Sequence, residues 1–158
     1  MPDPQKADKI ILAIDLSGSM TEGAKLRVVM NLLKSALLML ELGLRESPVL
    51  NLRIAYITEK ENVEDFQLDE SYEIPPPSCS GGCFNQEAFS DYLSQHLDSQ
   101  SFCFLFTDTV CDFSEINNLF TVLVGNEVPP ERFGENTYST DHFLPLWQSL
   151  MEYRGGNR

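Results

Sequence analysis

Hydrophobic positions along this chain follow two rhythms that alternate. Lys9–Asp15 (KIILAID) is a continuous apolar run without alternation, the pattern of a strand buried on both faces of a parallel sheet. Lys25–Leu42 then switches to helical spacing, with Leu26, Val29, Leu33, Leu37 and Leu40 on one stripe. A second line of Val28, Leu32 and Met39 makes this helix apolar beyond one stripe, so it is expected to be buried on two sides or partly covered by a partner. Gly43 is its predicted stop. Leu50–Thr58 (LNLRIAYIT) alternates as a strand, Glu59–Asn62 turns, and Val63–Leu68 returns beside it as a shorter strand.

IPPPSCSGG (74–82) is a linker or loop, stiffened by three prolines. Phe84–Leu97 carries Ala88, Phe89, Tyr92, Leu93 and Leu97 on one helical face. Phe102–Thr107 (FCFLFT) is a second buried strand, followed by Asp108, and Asp112-Phe-Ser-Glu-Ile can open a short helix. Phe120–Val124 (FTVLV) is a third buried parallel strand. Gly125–Tyr138 reads as loop. Thr140 or Asp141 is the expected cap of a last helix aligning Phe143, Leu146, Trp147, Leu150 and Met151, with Pro145 in its first turn. Arg154–Arg158 is a tail.

Strands alternating with helices predict a three-layer α/β sandwich: a mainly parallel central sheet with one antiparallel edge strand and helices on both faces. The 158 residues fit one domain with a core over about 8–152, and no repeat is visible. Two buried strands that end in Asp15 and Asp108 place both carboxylates at the carboxyl edge of the sheet, where doubly wound sheets bind ligands.

Charge narrows the partners. With 24 acidic against 11 basic residues the net charge is −13, which disfavours nucleic acid and anionic lipid. Between Glu59 and Glu73 there are seven acids and one lysine, read as a solvated edge that resists aggregation or as a docking surface for a basic partner. The N-terminal MPDPQKADKI has no apolar core and is no secretory signal. The most apolar stretch, Leu26–Leu44, is interrupted by Lys34 and Glu41 and does not suit a membrane span. A cytoplasmic location is therefore expected, and with it free thiols at Cys79, Cys83, Cys103 and Cys111. Cys103 is a buried strand residue. Cys79, Cys83 and Cys111 lie in loops near one sheet edge, so a disulfide or soft-metal site remains an alternative, although His96 and His142 fall in helices elsewhere.

The densest chemistry is in ILAIDLSGSM (11–20), where Asp15, Ser17 and Ser19 alternate along a turn. One carboxylate and two hydroxyls suit a hard cation such as Mg²⁺, Mn²⁺ or Ca²⁺, with Asp108 reaching it through water. Ser17 and Ser19 can instead cap the following turn. An enzymatic reading as a haloacid-dehalogenase-like phosphatase needs a second aspartate at Ser17, and no downstream lysine is evidently placed for phosphate. No Gly-x-Ser-x-Gly elbow is present, and neither histidine is placed as a base.

DLSGSM followed by FLFTDT resembles the von Willebrand factor A (vWA) domain and its metal-ion-dependent adhesion site (MIDAS), over roughly residues 8–152. The resemblance implies Asp15, Ser17, Ser19 and Asp108 as metal ligands. Thr109 stands where glycine is usual. GGCFNQEAF (81–89) resembles the intervening Gly-Gly-Thr element, but Cys83 occupies the threonine position, and a thiol is a poor ligand for a hard cation. Ser80, Asn85 or a water is the candidate substitute. The family has six strands, one more than the pattern here shows. It also implies a non-catalytic interaction module with a bound Mg²⁺, completed by an acidic side chain from a partner. Small cytosolic members act with AAA+ ATPases of the MoxR kind or in bacterial multigene systems. A structural subunit whose motif no longer binds metal is the alternative.

Overall fold

The structure, a computed structural model, describes residues 9–41, 51–69, 71, 73–77, 81–109, 113, 116, 118–125 and 136–152. Six strands form one sheet: β1 (Lys9–Asp15), β2 (Asn51–Ile57), β3 (Glu64–Gln67), β4 (Ser101–Thr107), β5 (Leu119–Leu123) and β6 (Thr137–Ser139). Three α-helices accompany them: α1 (Lys25–Glu41), α2 (Gln86–His96) and α3 (Thr140–Glu152). The strand order is β3-β2-β1-β4-β5-β6. Only the β2–β3 pairing is antiparallel. This is the mixed, Rossmann-like α/β sandwich that the hydrophobic pattern predicts.

Alternation along the central strands divides the core. Ile10, Leu12 and Ile14 of β1 face one cluster with Val29, Leu33, Ala36 and Leu37 of α1 and Phe143 and Trp147 of α3. Ile11 and Ala13 face the opposite cluster with Phe89, Tyr92 and Leu93 of α2. A sheet covered on both faces needs apolar side chains at consecutive positions, which is why β1, β4 and β5 lack polar alternation. On the α1–α3 side, Phe104 is the hub of a ring cluster, with centroids 5.3 Å from Phe120, 5.5 Å from Phe143 and 5.5 Å from Trp147. The Trp147 indole N–H also donates to the Ala36 carbonyl at 3.1 Å, joining α3 to α1.

Three expectations are corrected. The loop read over Gly125–Tyr138 ends in a sixth strand, Thr137–Ser139, which pairs in parallel with Thr121–Leu123. Its three residues carry no apolar run, so backbone pairing to β5 alone defines it. Helix α3 begins at Thr140, so neither Thr140 nor Asp141 stands before it as a cap, and Pro145 lies beyond the first turn. There the proline lacks the N–H that would bond the Asp141 carbonyl, a local loss that the burial of Phe143 and Trp147 offsets. The second apolar line of α1 is covered unevenly: Leu32 and Met39 are half-buried, whereas Val28 is exposed. Gly43, residues 78–80, Cys111 and the tail 154–158 lie outside the described residues, as do Asp112, Ser114 and Glu115 of the expected short helix. Among the described residues, no helix is long and apolar enough to cross a membrane.

Phe104→Ala should lower unfolding free energy by about 3–5 kcal/mol, because it empties the centre of the ring cluster. Leu38→Ala, at a position 51% exposed, should shift stability by about 0.5 kcal/mol or less. Urea denaturation of both variants checks the contrast.

Candidate metal centre

From β1 the sheet grows in two directions, through β2 to one edge and through β4 to the other. The strand order therefore reverses between β1 and β4, the place where doubly wound sheets bind ligands at the carboxyl ends of their strands. Asp15 is the last residue of β1, and Asp108 follows the last residue of β4.

Asp15 has no exposed surface, so its carboxylate needs partners within the protein. Oδ1 accepts the Ser17 backbone N–H at 2.8 Å, and Oδ2 accepts the Thr107 hydroxyl at 2.6 Å. The Thr107 hydroxyl oxygen in turn accepts the Thr109 N–H at 3.0 Å. One carboxylate thus shapes the loops after both central strands. Thr107 was not singled out by the sequence, although a polar residue closing an apolar strand is the signal that marks it.

Ser17 precedes a short 3₁₀ segment, Gly18–Ala24, in the position of a cap, yet its side chain makes no capping bond. Its hydroxyl lies 3.3 Å from the Ser19 hydroxyl, and Ser19 donates to Asp108 Oδ1 at 2.9 Å. The capping role expected of Ser17 is therefore not realised. Asp15, Ser17, Ser19 and Asp108 converge on one place.

The glycine pair of the intervening loop docks on this turn. The Gly18 N–H donates to the Gly82 carbonyl at 3.0 Å, and a Cβ on Gly18 would sit 3.5 Å from the Gly81 Cα. Gly82 has φ +76°, and a Cβ there would come 2.0 Å from the Glu59 carboxylate. Cys83 is an exposed free thiol. Asn85 does not substitute as a ligand: its Oδ1 accepts the Ala88 N–H as the cap of α2, and its amide donates to the Glu59 and Lys60 carbonyls. The side chain is occupied on both ends. Ser80 lies outside the described residues.

A lysine completes the site, contrary to the sequence expectation that none is placed there. Lys25 Nζ lies 2.9 Å from Asp108 Oδ2 and 3.4 Å from the Ser19 carbonyl oxygen. Its position, first in α1, opposes the helix dipole, and that anomaly is the only trace it leaves in the sequence.

The two carboxyls are driven apart electrostatically. Burial is the main influence on Asp15 and raises its pKa above the ordinary 3.8. Hydrogen bonds from Thr107 and Ser17 oppose this incompletely, and the Asp108 charge adds to it. Burial also acts upward on Asp108, but the hydrogen bonds of Lys25 and Ser19 and the lysine charge outweigh it and hold the group below 3.8.

The donor set fits a hard cation. Octahedral Mg²⁺ with bonds of about 2.1 Å requires neighbouring oxygens roughly 3 Å apart. The Ser17–Ser19 and Ser19–Asp108 oxygen separations of 3.3 and 2.9 Å bracket that value. The soft-metal or disulfide alternative falls on Cys79 and Cys111, which lie outside the described residues; among the described residues no group of three or more His, Cys, Asp or Glu side chains that could hold a metal is found. Cys103 is wholly buried, and burial pushes its thiol pKa up.

Asp15→Ala strands the Thr107 hydroxyl and the Ser17 N–H, and should cost about 1–3 kcal/mol for each group left unpaired. Asp15→Asn retains an acceptor and should cost less. Because the folded state raises the Asp15 pKa, it binds this proton more tightly than the unfolded chain does. The wild type therefore loses stability relative to Asp15→Asn as pH rises from about 3.8 through the raised value. Denaturation of the two proteins across pH 3–7 checks the sign.

No protein-family model matches the chain, and no curated protein matches it either, so the reading of this site stands on its own residues.

Proposed function

We propose that the protein is a cytoplasmic, non-catalytic interaction module of the vWA kind, holding a divalent cation at the carboxyl edge of its sheet. Of the four expected ligands, Ser17, Ser19 and Asp108 supply oxygens to the ion, Mg²⁺ or its alternatives Mn²⁺ and Ca²⁺. Asp15, buried with a hydrogen bond on each oxygen, is not a direct ligand in this reading; it stands behind the others and fixes the turn. The observation that carries this reading is the convergence of two serine hydroxyls with Asp108, where capping would have turned Ser17 towards the backbone. The ion supplies a positive centre with open coordination, and a carboxylate from a partner protein completes it. A MoxR-type AAA+ ATPase is the partner class that the family resemblance implies.

Burial of Asp15 weighs against the phosphatase alternative. A nucleophile must reach its substrate, whereas this carboxylate is fully buried with a hydrogen bond on each oxygen. Lys25, at the same edge, is paired with Asp108.

A second reading, assembly through a surface independent of metal, is favoured by a groove of about 780 Å³ between α1 and the proline-rich segment 73–77. Leu37, Leu38, Ile74 and Pro76 line it, together with Lys34, Glu41 and Glu73. The Tyr56 hydroxyl donates to the Pro75 carbonyl and anchors that wall to the sheet. Apolar walls with charges of both signs beside them suit a partner segment that presents apolar side chains within a mixed polar rim.

Saturating Mg²⁺ or Mn²⁺ should raise the melting temperature, by an amount corresponding to about 2.7 kcal/mol at a hundredfold excess over Kd. Ser19→Ala should abolish the rise while leaving the buried Asp15 bonds in place. A wild-type protein indifferent to both ions would sink the cation reading. Partner capture that persists in EDTA and in Ser19→Ala would support the groove.

A further inference from the structure

We propose that the Lys25 ammonium is a tethered competitor for the cation of this site: it pairs with Asp108 and must leave that carboxylate for an ion to enter. The inference rests on the cation reading above and concerns how the site is regulated.

Four observations carry it. Lys25 opens a 17-residue helix, where a positive charge is unfavourable unless a partner compensates it. Its partner is Asp108, whose other oxygen accepts from Ser19. An ion bound by Ser17, Ser19 and Asp108 would thus share a single carboxylate with the ammonium, at close range and with like charge. The Asp108 side chain is only 7% exposed and that of Lys25 20%, so the carboxylate would be a poorly hydrated, uncompensated charge without the lysine. Finally, Gly125, at φ +68°, leaves the lysine stem its room: a Cβ there would come 2.9 Å from Lys25 Cε.

The pair lets the lysine neutralise the Asp108 carboxylate without an ion. A divalent ion has the charge to displace an ammonium from a shared carboxylate, but the displacement lowers its net affinity. Coupling is reciprocal, so whatever Lys25 takes from the ion's affinity, the ion takes from the Lys25–Asp108 pair.

Calorimetric titration of the full chain with MgCl₂ and MnCl₂ tests this. Lys25→Met should bind the ion about tenfold more tightly than wild type, within the ordinary range of coupling between two ligands, and Lys25→Arg should stay near wild type. Binding by Lys25→Met alone, with none measurable in wild type, would also support the proposal. Equal or weaker binding by Lys25→Met, with wild type binding, would overturn the competition and leave the cation reading standing. Binding by neither protein would overturn both. A measurement on the wild type needs no folded variant: acetylation of Lys25 by acetic anhydride, followed by mass spectrometry, should quicken when MgCl₂ is added. An unchanged rate under saturating ion would overturn the proposal.

Discussion

The carboxyl edge of this sheet depends on the buried carboxylate of Asp15. Its two oxygens hold the backbone after β1 and the last side chain of β4, and through Thr107 they also fix the N–H of Thr109. The pairing of β1 with β4 brings the two loops side by side, and Ser19 and Lys25 reach across to Asp108, but the Asp15 bonds are the buried ones. Removing the carboxylate leaves two donors in a dry place, and those donors belong to the segments that carry Ser17 and Asp108. The environment that makes this group costly to ionise is the same one that makes its hydrogen bonds directional and strong. A surface aspartate here would leave the serines and Asp108 free to drift apart.

Much of this was legible in the sequence. KIILAID and FCFLFT are apolar at consecutive positions, a pattern suited to a strand covered on both faces, and Asp15 closing the first and Asp108 following the second mark the candidate edge. The sixth strand was invisible because TYS owes its conformation to backbone pairing with Thr121–Leu123 and not to its own side chains. Asn85 was misread because its amide suits a metal as well as a cap. The α-helix that begins at the next residue, with Ala88 presenting an unpaired N–H, decides for the cap. Lys25 was missed for a different reason: its partner is 83 positions away, and periodicity speaks only of neighbours.

The chemistry of the edge is set by relative charge more than by donor identity. Two carboxyls and one ammonium leave a formal charge of −1, small enough for a domain that already carries −13. On the cation reading proposed above, a divalent ion would turn that local charge positive within an otherwise acidic molecule. A partner carboxylate would then be attracted only at short range, where the general repulsion of an acidic surface is screened over about 10 Å of ordinary saline.

The two outer strands of the described sheet have a bearing on association. β3 has only four residues, with Glu64 exposed and Asp65 tied to Arg53 at 2.8 Å, and β6 has only three. A short or charged margin offers a neighbouring chain too few free backbone groups to extend the ladder. Margins this short or this charged therefore disfavour pairing of two such sheets edge to edge, so a long apolar fibre seam has no template in the described strands.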